Sequence, residues 1–210
     1  MYCSIYSAKM VVNFYSVWYD ISSTNIILAP QAHFKLQGGL AVRLFASAIS
    51  EKKAQRELAY RLLHFAVSEM WGLDGLAVQK TAQGKPFFPG HPDKHMSISH
   101  TSTHILVGVS QSEIGVDIEA IREVKVGLCA RLFEAEEIRG IGFFGGWTAR
   151  ESIFKLTGKS NLLSQRLYPD GKNVTCDLLG VQCRVYDEID GCCCAVACYD
   201  GNFAPGIILR

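Results

Sequence analysis

Apolar positions along the chain change their spacing several times, and each change predicts an element. Residues 1 to about 30 are rich in Val, Ile, Tyr, Phe and Ser, which predicts one or two strands. From Ser50 to Trp71 the spacing lengthens. Leu58, Leu62, Phe65, Ala66 and Met70 recur near a 3.6-residue period, with Lys52, Lys53, Arg56 and Arg61 among them. That is an amphipathic helix, and Gly72 stops it. Shorter apolar runs follow. Residues 76 to 80 predict a short strand, and the turn Gly84-Lys85-Pro86 leads into Phe87-Phe88-Pro89. Residues 96 to 99 and 105 to 109 read as strands joined by Thr101-Ser102-Thr103, and residues 114 to 118 as another.

Residues 128 to 138 suit one helix or two short ones. Glycines punctuate 140 to 146, and a second long helix is expected from Thr148 to Thr157. Residues 174 to 179, 182 to 186 and 192 to 199 then read as strands. The order strand, long helix, strands occurs twice. This predicts an α+β fold of two similar units.

Composition narrows the class of ligand more than the class of fold. The net charge is +1, so nothing global draws the chain to nucleic acid or to a membrane, and an anionic ligand must be met by local basic residues. The uncharged stretch from Met10 to Tyr19 is broken by Asn13 and is too short to span a bilayer, so a cytoplasmic protein is expected. Eight cysteines are present without a CxxC pair. Cys192, Cys193 and Cys194 are consecutive, so on a strand they point to opposite faces, unlike structural zinc ligands. They read as small buried hydrophobes, and no structural metal is expected from them.

Two segments carry candidate chemistry. In Gly115-Val116-Asp117-Ile118-Glu119 two carboxylates stand at i and i+2, on one face of a strand. In Trp147-Thr148-Ala149-Arg150-Glu151-Ser152-Ile153-Phe154-Lys155 a carboxylate and an ammonium stand at i and i+4, on one face of a helix. If strand and helix pack together, three carboxylates and a cation converge. Carboxylate oxygens suit Mg²⁺, which keeps positions open for substrate phosphates. Taken singly, each segment has a plainer reading: a solvated strand face and a helical ion pair. His100 alone could be a turn residue, His91, His95 and His104 read as surface or loop residues, and Trp147 and Phe154 as core anchors.

Together with Lys85-Pro86 and Ser97-Ile98-Ser99-His100, these segments resemble the three signatures of 4'-phosphopantetheinyl transferases. The likeness is greatest to the surfactin-synthetase-activating type, built as two pseudo-symmetric halves in one chain, and it runs from about residue 50 to 200 in order and spacing. The resemblance implies two halves, each a small antiparallel sheet on a long helix: 1–111 with coenzyme A contacts, and 112–210 with the metal ligands and the catalytic helix. It implies transfer of the 4'-phosphopantetheine of coenzyme A to a serine hydroxyl of an apo acyl or peptidyl carrier protein, with release of adenosine 3',5'-bisphosphate. Asp117, Glu119 and Glu151 would hold Mg²⁺, with Mn²⁺ as an alternative. Glu151 would act as base and Lys155 would stabilise the phosphates. Arg56, Lys85, Ser99, His100 and Lys155 would contact coenzyme A. A cytoplasmic monomer without nucleic-acid or membrane partners is expected.

The chain also departs from that family. Arg150 stands where the family has Lys beside the metal-binding Glu, and the segment containing Gly140, Gly142, Gly145 and Gly146 is short where other members carry a longer flap. Of the basic residues expected early in the chain, Lys35 and Arg43 are the candidates. The competing readings are a non-catalytic module binding coenzyme A or a carrier, and a Mg²⁺-dependent nucleotide phosphohydrolase.

Overall fold

The structure, a computed structural model, describes residues 32–35, 41–48, 55–125, 127–158, 165–189 and 191–199. The strands expected within residues 1–30 lie outside the described residues, as do residues 50–54 of the first expected helix. In chain order come strands β1 (Ala32–Lys35) and β2 (Ala41–Ala48), helix α1 (Gln55–Trp71), a short hairpin of β3 (Gln79–Lys80) and β4 (Pro86–Phe87), and strands β5 (His95–His100) and β6 (His104–Ser110). The strands order antiparallel as β1-β2-β6-β5.

Helix α1 lies on β6 and β2 because its apolar stripe has somewhere to go. Leu58, Leu62, Leu63, Ala66 and Val67 pack with Met96, Ile105, Val107 and Val109 in one buried cluster. The strand alternation decides which residues face the helix: Ile105, Val107 and Val109 do, while Leu106 is buried on the opposite face. Gly72 ends α1 in the left-handed region at φ 63°, and its N–H returns to the Ser68 carbonyl at 2.8 Å.

The rest of the described chain forms β7 (Ile114–Ala120), α2 (Leu128–Leu132), a 3-10 turn (Ala135–Ile138), α3 (Gly142–Thr157), β8 (Leu167–Asp170), β9 (Asn173–Cys176), β10 (Val181–Ile189) and β11 (Cys192–Tyr199). These strands order antiparallel as β7-β11-β10-β9-β8. Helix α3 lies across β7, β11 and β10. Ala149, Ile153 and Leu156 of the helix join Leu167, Val174, Cys183, Val185, Cys193, Ala195 and Ala197 in a second core. Cys183, Cys192, Cys193, Cys194 and Cys198 are all buried, in line with the small-hydrophobe reading, and burial pushes the Cys183 thiol up to about 12. No described helix is long and apolar enough to cross a membrane.

The fold is therefore α+β with antiparallel sheets, as the periodicities predict. Three local expectations need correcting. The strand foreseen over 76 to 80 shrinks to two residues, and β8, not foreseen, pairs with β9 through Leu167–Asp170. Helix α3 starts at Gly142 rather than Thr148. Gly142 opens the helix at a left-handed φ of 69°, whereas Gly145 and Gly146 are not breaks but contact points. A Cβ at Gly145 would stand 2.8 Å from that of Ile141, and one at Gly146 would stand 2.7 Å from Ile138 Cγ2 and 3.0 Å from the Phe133 ring.

The two sheets meet through side chains. Among the described strands β5 and β7 are both outermost in their sheets, and neither pairs with the other by backbone hydrogen bonds. Instead Val116 N–H donates to Ser97 Oγ at 3.0 Å and Ile118 N–H to Ser99 Oγ at a longer 3.4 Å. Side chains stand off the face of a strand, so β7 crosses the face of β5 that is turned away from α1.

Candidate active site

The motif Gly115–Glu119 lies on β7, and its glycine is there for proximity. A Cβ on Gly115 would overlap the Ser152 carbonyl oxygen and stand 2.6 Å from Leu156 N, so α3 rests directly on β7 at this point. With helix and strand backbones this close, Lys155 reaches Asp117. Its Nζ donates to Asp117 Oδ1 at 2.7 Å, and Ser99 Oγ donates to the same oxygen at 2.7 Å. Ser99 thus belongs to two contacts, accepting from the β7 backbone and donating to the β7 carboxylate.

Asp117 is only 4% exposed, and its Oδ2 is buried without a hydrogen bond among the described residues. Glu151 lies one helical turn before Lys155. Burial raises its carboxyl above the ordinary glutamate value, the charge of Asp117 and then that of Glu119 raise it further, and only Lys155 pulls it down. Glu119 is turned toward Arg122, Oε2 to Nη1 at 3.4 Å. Among the described residues no three His, Cys, Asp or Glu side chains are already drawn together as a metal site. Even so, an unpartnered buried carboxylate oxygen beside two further carboxylates is the setting that a hard cation relieves, so these residues fit a divalent ion.

The basic residues singled out in the sequence do not gather at one point. The Lys85 ammonium is ion-paired with Glu113, just before β7, and donates to the Leu156 carbonyl at 3.1 Å. His95 Nδ1 lies 3.5 Å from the other oxygen of Glu113. His100 is exposed at the end of β5, on the opposite strand face from Ser99, and its Nδ1 is 2.9 Å from Gln55 Nε2. That contact brings the first turn of α1, with exposed Arg56, beside His100. Lys35 and Arg43 fall on β1 and β2, but their side chains lie outside those described. His104 is not a free surface residue: its Nδ1 meets Thr103 Oγ1 at 3.0 Å and Cys192 Sγ at 3.4 Å.

The geometry can be set beside known proteins. No protein-family model matches the chain. A 4'-phosphopantetheinyl transferase of Bacillus subtilis is 28% identical over 208 residues, covering 83% of this chain and 92% of its own. A second from Bacillus subtilis, 4'-phosphopantetheinyl transferase ffp, is 32% identical over 156 residues, which are 61% of this chain and 69% of its own. The chain belongs to the 4'-phosphopantetheinyl transferase family. A third relative, 4'-phosphopantetheinyl transferase psf-1 of Bacillus pumilus, is 27% identical over 128 residues, 53% of this chain and 55% of its own. The protein is thus an enzyme of the transferase class.

In this transferase Arg150 points away from the carboxylates. It is 2% exposed and donates to Glu137 Oε1 at 2.8 Å and to the Leu132 carbonyl at 2.6 Å. Its guanidinium lies 4.1 Å from the Phe133 ring centre. The residue therefore ties the segment 132–138 to α3. Trp147 packs against the second core as expected, whereas Phe154 is half-buried and stands outside that cluster. Sequence reasoning missed Gln55, Ser97 and Glu113. The alternation of Ser97 and Ser99 in an apolar strand was a usable signal, but nothing in the sequence pairs Gln55 with a residue 45 positions away.

Proposed function

We propose that this transferase moves the 4'-phosphopantetheine arm of coenzyme A onto a serine hydroxyl of an apo acyl or peptidyl carrier protein, in a Mg²⁺-dependent reaction that releases adenosine 3',5'-bisphosphate. The observation that carries the reading is the buried Asp117, gripped by Lys155 and Ser99 through one oxygen and left unpartnered at the other. Asp117, Glu119 and Glu151 would hold Mg²⁺, or Mn²⁺ in its place. When bound, the ion would supply charge stabilisation for the pyrophosphate oxygens.

The chain's own residues account for the remaining chemistry. The serine oxygen forms a bond to the phosphorus that carries pantetheine, and the bond from that phosphorus to the nucleotide oxygen breaks. Glu151 is the base that takes the serine proton, directly or through a water. The partly exposed Lys155 ammonium meets charge developing on the phosphate oxygens while keeping Asp117 oriented. Arg56, Lys85, Ser99 and His100 would contact coenzyme A. Their spread over α1, the β3–β4 turn and the end of β5 suits a long ligand bearing several phosphates.

The two cores also support the two-half reading, with the join at the loop between β6 and β7, near residue 111. The first half, 1–111, would supply most coenzyme A contacts, and the second, 112–210, the carboxylates and Lys155. We take the enzyme to be a cytoplasmic monomer. The test is to incubate it with coenzyme A, Mg²⁺ and a panel of apo carrier proteins, then weigh the carriers by intact-mass spectrometry. One added phosphopantetheine, lost with Asp117→Ala, is the expected result. Coenzyme A binding without transfer to any carrier would sink the proposal in favour of a binding module.

A further inference from the structure

Gln55 opens α1 and uses its amide nitrogen twice. Nε2 donates to the Thr101 carbonyl at 2.7 Å and lies 2.9 Å from His100 Nδ1. A backbone carbonyl can only accept, so the nitrogen, not the oxygen, of the Gln55 amide must face this corner. Its second hydrogen then points at Nδ1, and Nδ1 must be the ring nitrogen that carries the lone pair. The proton of the neutral imidazole is left on Nε2. Thr101 is itself a firm anchor. Its N–H donates to the His104 carbonyl at 2.8 Å, and its Oγ1 accepts from Thr103 N at 3.1 Å and His104 N at 2.9 Å.

We propose that Gln55 is a positioning residue that fixes His100 as its Nε2–H tautomer, so that the exposed ring edge offers a hydrogen-bond donor to an anionic phosphate oxygen of the nucleotide substrate. The inference rests on the reading above that His100 contacts coenzyme A. An Nδ1–H tautomer would present a lone pair to the same oxygen, and two acceptors repel. Gln55 touches no substrate in this account; it acts through the ring of His100 and through the turn that carries it.

The experiment reads the tautomer directly. ¹⁵N-histidine spectra of the enzyme without substrate would be recorded well above the ordinary histidine pKa of about 6.5. The His100 resonances are assigned among six histidines by their loss in His100→Gln. Wild type should show Nε2–H. Gln55→Glu, which can only accept, should move the proton to Nδ1, whereas Gln55→Lys, which can only donate, should leave it on Nε2. In steady-state assays Gln55→Glu should raise KM for coenzyme A about tenfold or more, the worth of one hydrogen bond to a charged group, with kcat changed less than about threefold. Gln55→Lys should restore the wild-type KM or better it. Wild type with Nδ1–H, or the same tautomer in Gln55→Glu, overturns the proposal. If the tautomer switches as described but His100→Ala binds coenzyme A as tightly as wild type in calorimetry, the phosphate contact of His100 is what has failed.

Discussion

Replacing Arg150 separates a structural cation from a catalytic one, and the structure sets the size of the effect. Glu137 is buried beside it and accepts from Glu134 N at 2.9 Å and from Leu167 N at 3.0 Å, as well as from Arg150. Burial alone would raise the Glu137 carboxyl, but those N–H groups and the guanidinium outweigh it and hold it below the ordinary 4.5. Arg150→Ala strands that carboxylate in the core, which costs about 3–5 kcal/mol. Domains are stable by only about 5–15 kcal/mol, so the loss is a large share of the total, on the order of 10 °C in Tm. Arg150→Lys keeps the charge but cannot meet Glu137 and the Leu132 carbonyl in one plane over Phe133, and should cost about 1–2 kcal/mol. Arg150→Met with Glu137→Leu should recover only part of the loss, because an apolar pair removes the buried charge but leaves the Glu134 and Leu167 N–H groups and the Leu132 carbonyl without these partners. A carboxylate with a lowered folded-state pKa stabilises above its unfolded value and loses that contribution as pH falls through the lowered value. Wild type should therefore lose stability faster than the double variant as pH drops below about 4.5. Urea unfolding at several pH values measures all of this. Below the Tm, carrier modification by the folded Arg150→Lys enzyme should stay within about twofold of wild type, since the guanidinium touches none of the candidate carboxylates. A loss under about 1 kcal/mol for Arg150→Ala, or a tenfold drop in turnover for Arg150→Lys, would refute the assignment.

Other positions test the seam and the carboxylates. Glu151→Gln should raise Tm at neutral pH while lowering turnover about 10²–10⁴-fold. A raised carboxyl pKa favours the fold only below the unfolded value, and that contribution is lost as pH rises, so removing the charge helps at pH 7; a lower Tm would contradict the repulsion inferred from Asp117 and Glu119. Ser97→Ala and Ser99→Ala each remove the acceptor of a buried β7 N–H and should each cost about 1–3 kcal/mol in thermal unfolding. Only Ser99→Ala also removes one of the two donors that hold Asp117 Oδ1, so only it should slow transfer in the folded protein, and equal activity losses in both would argue against a role for Ser99. Gly115→Ala forces β7 and α3 apart against rigid backbone and should cost about 3 kcal/mol or more; a variant as stable as wild type would mean that the close approach is not obligatory.

The legible parts of the sequence were those in which periodicity and burial agree. Leu58, Leu62 and Ala66 announced α1, and the runs at 105 to 109 and 114 to 118 announced β6 and β7, because each buries one regular face. Gly145 and Gly146 misled because a glycine that permits close packing and one that breaks a helix are the same letter; which it is depends on Phe133, Ile138 and Ile141, brought in by tertiary contact. β8 was illegible for a different reason: Leu167 and Pro169 turn inward and Tyr168 and Asp170 outward, but an aromatic on the exposed face and a proline on the inner one hide that alternation in the letters. At the site, the i, i+2 and i, i+4 spacings foretold the meeting of Asp117 with Lys155. Neither the partner of Lys85 nor the clamp on His100 has a local signal, since both are contacts between residues 28 and 45 positions apart.

The position of the candidate site follows from how the two sheets are joined. Two outer strands could have paired edge to edge, which would have merged the sheets and satisfied both edges by backbone bonds. Ser97 and Ser99 prevent this by accepting the β7 N–H groups through their side chains, which places β7 over a face of β5 instead of beside it. That crossing puts residues of β5 within reach of the carboxylates of β7, and Gly115 lets α3 come close enough for Lys155 to reach the same carboxylate. The end of β5 then has two exits: Ser99 on one face, toward Asp117, and His100 on the other, toward the start of α1. A ligand long enough to pass around that strand end could touch both groups at once, whereas a short one could not. This is the argument for an extended nucleotide substrate over a simple phosphate, and it needs both faces of one strand. A truncated coenzyme A that keeps the pyrophosphate, and so a phosphate leaving group, but lacks the phosphorylated adenosine should therefore lose the dependence on His100 while keeping the dependence on Asp117 and Lys155, and equal sensitivity to all three would place them in a single pocket instead.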